Sequence, residues 1–324
     1  MTIGIAANLL ALSGLIAFIA WWTYPATEAV RLRNALLLQK AHASDFTWVP
    51  PHFPEGFKVE RRPPSPEFRE VVKALGADQT VSDWDAALTL AIHLTEHAED
   101  KGPVRADLLT TYRAIRDGYG YCADFVRVFI ALAHTRGMTA RQWAFSFDGF
   151  GGHGHTLVEV FDRQRSRWLM LDVFNNFHAV DVATGEVLGA LEYRESLLGH
   201  RQAAMHPNGP GRLGFVHEHK ALEYYRRGVH QWYLLWGNAV FSYDAHPLVR
   251  VAGRISRTLA RVAATLTSAQ PRIRIYETPE NAEQVRHMFA LQRTLLWMVG
   301  LIVLLLATLI VQLLSVAGTV RSNP

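Results

Sequence analysis

The sequence predicts an α+β fold held between two membrane-spanning helices, and three observations carry that prediction. Two stretches without a charged residue, Ile3–Trp22 and 294–318, each reach the roughly 20 apolar residues that a bilayer-crossing helix needs. Between residues 80 and 136 the apolar side chains recur at helical spacing. After Gly137 the pattern changes to short β-like runs separated by polar turns. Helices therefore precede an antiparallel sheet along the chain, which is an α+β order.

The first apolar stretch is read as a retained anchor. No Lys or Arg precedes it and no small-residue cleavage site follows, features that a secretory signal carries. The expected division is a transmembrane anchor over 1–23, a helix and proline-rich linker over 24–79, a folded α+β domain over 80–200, a helical extension over 201–293 and a transmembrane helix over 294–318. Near the two spans, Arg31, Arg33, Lys40, Arg286 and Arg293 lie on the domain side and Arg321 on the other. That bias predicts a cytoplasmic domain with both termini across the membrane.

Residues 26–43 read as a helix continuing from the first span. The stretch 46–66 holds Pro50, Pro51, Pro54, Pro63, Pro64 and Pro66 and is expected to be extended, because proline lacks the amide donor and disfavours helix in the residue before it. Helices are expected over 80–99, with Ser82 as cap, over 104–116 and over 123–135, the last ended by Gly137. Strands are expected over 139–147, 155–161 and 167–173, the last two joined by the polar turn 162–166. Residues 217–243 read as one helix with an aromatic stripe (Tyr224, Tyr225, Trp232, Tyr233, Trp236, Phe241) assigned to packing. Residues 247–266 read as a basic amphipathic helix: Arg250, Arg254, Arg257 and Arg261 on one face, Leu248, Val251, Ile255, Leu259 and Val262 on the other. Such a helix suits an anionic membrane surface, and those four arginines are the expected lipid contacts. Residues 272–276 read as a strand.

The net charge of +4 and the lack of a basic block interleaved with aromatics argue against nucleic acid as a partner. One cysteine, Cys122, excludes an intrachain disulfide framework. A lone cysteine is ordinarily a small buried hydrophobe. This one follows a two-glycine turn, Gly118-Tyr119-Gly120, and opens a helix, where exposed amides favour negative charge. His155 follows in Gly151-Gly152-His153-Gly154-His155, and Asp172 in Trp168-Leu169-Met170-Leu171-Asp172. A thiolate nucleophile, an imidazole to exchange its proton and a carboxylate to orient the ring make up an acyl-transfer triad. His153, flanked by glycines in what reads as a mobile loop, is the competing base. A metal site on His153, His155 and Asp172 lacks a strict ligand spacing such as His-Glu-x-x-His.

These motifs, over about 81–177, resemble the transglutaminase-like superfamily. Gly120-Tyr121-Cys122 through Ala140-Arg141 is similar to its nucleophile helix, Gly154-His155-Thr156-Leu157-Val158-Glu159-Val160 to its histidine strand, and Trp168 to Asp172 to its aspartate strand. The resemblance implies a papain-like core of N-terminal helices packed on an antiparallel sheet. It implies Cys122 as nucleophile, His155 as general base then acid, and Asp172 as orienter, with no cofactor and no metal. His155 also matches the family's His-x-x-x-Glu spacing to Glu159. The family's tryptophan two residues after the histidine is Leu157 here, a change expected to reshape the substrate groove. The expected function is cysteine-dependent hydrolysis of an amide or ester in a peptide or protein. The alternatives are a catalytically silent scaffold and a protein-crosslinking transglutaminase.

Overall fold

The computed structural model describes residues 2–321 except 100, 105, 212, 213 and 256, and all their side chains but those of 2, 257–259, 261 and 318–321. Helix α1 (Thr2–Trp22) is followed at Pro25 by α2 (Ala26–Leu37). The sequence extends this second helix to residue 43. The structure ends it at Leu38, where the backbone becomes extended and forms the two-residue strand β1 (Leu38–Gln39). After the short helix α3 (Ser44–Thr47), the proline-rich stretch expected to be extended is irregular, with turns at 50–51 and 55–56, and it is more than a linker. Phe46 and Phe57 are buried against the sheet, and the Trp48 ring lies 5.0 Å from that of Trp168. Helix α4 (Pro66–Ala74), unforeseen from sequence, starts with proline at its first turn, where no amide is missed.

Three helices follow near their expected places. In α5 (Asp83–Thr95) the Ser82 hydroxyl accepts from the Asp85 amide at 3.2 Å, and in α6 (Leu108–Arg116) the Asp107 carboxylate accepts from Thr110 at 3.0 Å. Helix α7 (Cys122–Arg136) ends at Gly137 in a left-handed conformation, φ 80°. Then come β2 (Ala140–Ser146), β3 (Gly154–Asp162) and β4 (Arg167–Leu171), an antiparallel run as predicted. Strands β5 (Phe177–Asp181) and β6 (Ala203–Pro207) pair separately, with α8 (Ala190–Leu197) between them in sequence.

The expected helix over 217–243 is corrected. Helix α9 (Glu218–Arg226) stops early, and β7 (Trp232–Trp236) and α10 (Val240–Ala245) follow. Trp232, Leu234 and Trp236 are fully buried on one side of the sheet. A run of aromatic and branched residues at the middle of a sheet gains more by cross-strand packing than its helical spacing offers. The single helix over 247–266 is likewise two helices, α11 (Pro247–Ile255) and α12 (Arg257–Leu266), folded on each other through Val249, Ala260 and Ala264. Strand β8 (Arg272–Ile275) and α13 (Ala282–Arg321) complete the chain.

The main sheet has the order β1-β8-β7-β2-β3-β4. It crosses the expected boundary at residue 200, since β7 and β8 join β2, β3 and β4 in one sheet; residues 201–293 are not a helical extension. One face packs on Trp143, Phe145, Leu157 and Tyr225 with α8 and α9. The other carries two helical groups: α4 to α7 over β3 and β4, and α2 with the first turns of α13 over β7, β8 and β1.

Two helices, α1 and α13, hold stretches long and apolar enough to cross a membrane. They pack together, and the Asn8 amide donates to the Thr308 hydroxyl at 2.7 Å. Contact between the start of α1 and the far part of α13 makes the pair antiparallel. Trp21, Tyr24 and Trp297 are exposed where the helices leave the domain, the position of an interfacial aromatic belt.

Candidate active site

Cys122 is the first residue of α7 and is half-buried. The turn that delivers it requires glycine at 120: φ is 113°, and a Cβ there would stand 3.1 Å from both Ile115 and Phe125. The helix start is tied down by Asp124, whose carboxylate accepts from the Tyr121 amide at 2.9 Å and from Val104 at 3.1 Å. The thiol thus sits at a helix N-terminus, where unpaired amides favour negative charge.

His155 lies at the start of β3 and is buried. The loop before it is not the mobile one its glycines suggested. The Asp148 carboxylate accepts from the Ser146 hydroxyl at 2.8 Å, the Gly151 amide at 3.0 Å and the His153 amide at 3.2 Å. Gln231 accepts from Gly149 at 2.7 Å. Helix α2 clamps the same loop, Arg31 donating to the Asp148 carbonyl at 2.5 Å and Asn34 to the Phe150 carbonyl at 2.8 Å. A Cβ on Gly154 would fall 2.0 Å from the Phe145 carbonyl oxygen. Gly154→Ala is therefore expected to destabilise the fold by about 1–3 kcal/mol, read from urea unfolding of the solubilised chain, and to displace His155. An unchanged midpoint contradicts the assigned closeness of β2 and β3. His153 is exposed on this loop, and the histidine that meets Asp172 is His155.

The register explains why Asp172 reaches it. Val158 pairs with Leu171, so Asp172, one residue past β4, falls opposite Leu157, on the side of the sheet that His155 shares. His155 Nε2 and Asp172 Oδ2 are 2.5 Å apart, which leaves Nδ1 for the thiol. The carboxylate is held by more than the histidine. Its Oδ1 accepts from the Asn175 amide at 2.9 Å, and its Oδ2 accepts from the buried hydroxyl of Tyr225, to which the Asn175 side chain donates at 2.7 Å. Asn208 donates to the Asp172 carbonyl at 3.2 Å. Tyr224 and Tyr225 set their rings edge-on to His155, with centroids 5.9 and 5.8 Å away.

Burial disfavours a charge on His155, but the Asp172 carboxylate and the Cys122 sulfur, within hydrogen-bonding reach, outweigh it, and the pKa is pushed up from 6.5 to about 10. Burial, reinforced by the nearby Asp172, raises Tyr225 well above the ordinary tyrosine value, so its hydroxyl stays a donor.

The three residues singled out from sequence are thus brought together. Tyr225, Tyr224, Asn175 and Asn208 were missed as parts of the site. The available signal was chemical: a tyrosine buried in an aromatic stripe needs a partner for its hydroxyl. Leu157, expected to reshape the groove, is fully buried beside Trp143, and neither lines the cavity.

Cys122 and His155 line a cavity of about 730 Å³. Its floor is the gap between the two helical groups on one face of the sheet, including Ala144 and Tyr233. Its walls are α7 and α2, and α11–α12 lies across it. Among the described residues no group of three His, Cys, Asp or Glu side chains is placed to hold a metal ion. Comparison with protein-family models, with curated proteins and with solved structures finds no match to this chain.

Proposed function

We propose that this chain is a membrane-anchored cysteine hydrolase of the transglutaminase-like type, acting on an amide or ester carbonyl. The observation that carries the reading is the buried His155–Asp172 pair at 2.5 Å with Cys122 beside it at a helix N-terminus, all opening on one cavity. The Cys122 thiolate attacks the carbonyl carbon, and the oxyanion that forms faces the amides at the start of α7. His155 gives its Nδ1 proton to the departing amine or alcohol, and the acyl group remains as a thioester on sulfur. Acylation also removes the sulfur's negative charge, one of the two anions that hold the proton on His155. The imidazole can then take a proton from water, whose hydroxyl attacks the thioester, releases the acid and restores the thiol. Asp172, fastened by Tyr225 and Asn175, keeps Nε2 engaged throughout. Hydrolysis is preferred to crosslinking because nothing in the sequence marks an amine-donor site. The antiparallel packing of α1 on α13, joined through Asn8 and Thr308, supports a retained anchor, and the flanking charges support a cytoplasmic domain.

Cys122 is the chain's single cysteine, so thiol labelling reports on it alone. At pH 6 it is expected to react with iodoacetamide about 10- to 100-fold faster than a free thiol, and His155→Ala to remove that advantage. A rate equal to that of free thiol, unchanged in His155→Ala, removes the enzymatic reading and leaves the silent scaffold. In intact cells a membrane-impermeant maleimide is expected to label Cys122 only after permeabilisation. Labelling beforehand places the domain outside.

A further inference from the structure

The hairpin α11–α12 has an outer surface that the rest of the chain leaves uncovered. Leu248 is 56% exposed, Val251 55%, Ile255 75% and Leu266 69%. These residues are separate from the Val249, Ala260 and Ala264 seam that holds the hairpin together. Arg250 and Arg254 are exposed beside them, and their guanidinium groups have no ion pair or hydrogen bond among the described residues. The side chains of Arg257 and Arg261, also expected to contact lipid, lie outside the described residues.

Its location says what covers such a surface. Helix α12 packs against α2, which leaves the first span at Pro25. At 1.5 Å per residue, Val30 and Arg33 of α2 stand only about 8–12 Å along the helix from that point. Both line the catalytic cavity, opposite α7. The hairpin is therefore close to the bilayer plane marked by Trp21, Tyr24 and Trp297. Apolar residues flanked by arginine at that level suit an interfacial segment, its apolar side among acyl chains and its cations among headgroups.

The same hairpin bounds the cavity. Val249, Arg250, Gly253 and Arg254 line it from the membrane side, while Cys122 and His155 line it from the domain. At about 730 Å³ its size suits a small molecule rather than a folded protein. Of the other charged groups in its lining, Asp124 is committed to backbone amides, Asp107 to Thr110, Asp244 to Arg127 and Leu108, Lys58 to the Gln270 carbonyl and Arg33 to the Asn34 side chain. Arg250 and Arg254, without a hydrogen bond or ion pair among the described residues, are the lining cations open to a ligand.

Resting on the catalytic reading above, we propose that α11–α12 lies in the membrane interface and that the cavity draws its substrate from the bilayer: an amphiphilic lipid with an amide or ester beside an anionic headgroup. The hairpin's apolar surface admits the chain from the acyl region, the two arginines hold the headgroup, and the carbonyl is carried to Cys122.

The test uses the full chain in phosphatidylcholine vesicles, with Cys122 alkylation by maleimides of matched intrinsic reactivity as the readout. A dodecyl maleimide with a sulfonate headgroup is expected to label Cys122 at least about 10-fold faster than a short sulfonated maleimide, and faster than a dodecyl maleimide with a trimethylammonium headgroup. Leu248→Asp with Ile255→Asp, both at exposed positions, should abolish the long-chain advantage. Arg250→Gln with Arg254→Gln should abolish the preference for the anionic headgroup. Equal rates for long and short reagents overturn the proposal, as does protection of Cys122 by a soluble unfolded protein such as casein in place of lipid. The catalytic reading is judged separately, by whether the short reagent's rate depends on His155. Dependence on His155 without a long-chain advantage sinks only the lipid substrate.

Discussion

Asp172→Asn is expected to lower the hydrolysis of a generic acyl donor such as p-nitrophenyl acetate by about four orders of magnitude, while the fold persists. The carboxylate is acceptor-only and takes hydrogen bonds from His155 Nε2, the Tyr225 hydroxyl, and both the backbone amide and the side chain of Asn175. An asparagine amide turned toward His155 can only donate to Nε2. The ring proton then moves to Nδ1, the nitrogen needed to exchange a proton with Cys122, and the tautomer is wrong for catalysis. Tyr225→Phe keeps the aromatic packing and loses one hydrogen bond to the carboxylate, so a smaller loss is expected.

The substitution has a spectroscopic signature. Burial lowers the basicity of His155, and Asp172 is the largest influence opposing it. Without the carboxylate charge, the His155 titration seen by NMR should fall steeply from about 10. A titration that stays put contradicts the assigned pairing. Folding should show the same coupling. The folded-state value is raised above the 6.5 of an unfolded histidine, so the stabilisation is complete below about pH 6.5 and is lost as pH rises toward 10. Urea midpoints of the parent chain should drop between pH 6 and pH 9.5, and that drop should shrink in His155→Gln.

Arg141→Met is expected to destabilise the protein by about 3–5 kcal/mol, the usual cost of stranding one partner of a buried ion pair. Arg141 and Glu159 face each other on β2 and β3, 2.7 Å apart, with side chains only 2% and 3% exposed. Glu159 also accepts from the Trp143 indole at 2.5 Å and from the Ala190 amide at 2.7 Å, and so ties the sheet to the start of α8. The Arg141 guanidinium lies 4.1 Å from the Trp168 ring centre. Removing the cation leaves a carboxylate in a dry site with two neutral donors. Adding Glu159→Gln should recover most of the loss, since it removes the stranded charge. Denaturation followed by tryptophan fluorescence measures both variants. A loss in Arg141→Met below about 1 kcal/mol is what a solvated surface pair would give, and it contradicts the burial. Glu159, which matches the His-x-x-x-Glu spacing, thus acts on the site only through the strand that carries His155.

Local features were legible where one residue governs one geometry. Ser82 caps its helix, Gly137 ends α7, and Gly120 allows the turn before Cys122. The two long apolar runs declared themselves by length alone. The antiparallel core after Gly137 also followed from its alternation. The failures share a cause. Residues 217–243 satisfy a helical spacing, yet burial at the middle of a sheet decides for β7, and the strand's partner, β2, lies about 90 residues away in the chain. Residues 247–266 carry a continuous amphipathic pattern, and the small residues that let the chain fold back on itself, Ala260 and Ala264, leave no mark in that periodicity.

By itself, the sequence determined the identities of the thiol, the imidazole and the carboxylate, the strand that bears the imidazole and the one that ends just before the carboxylate, and the apolar segments that flank them. Each is a local property of residue type and spacing. The tertiary structure alone decided that Tyr225 and Asn175 hold Asp172, that α2 clamps the histidine loop, and that an arginine-bearing hairpin lies across the cavity from Cys122. Apart from the local bond of Asn175 to Asp172, those relations join residues 50 to more than 100 positions apart. Such contacts form when separate apolar faces are buried together, and no short-range pattern records which faces will meet.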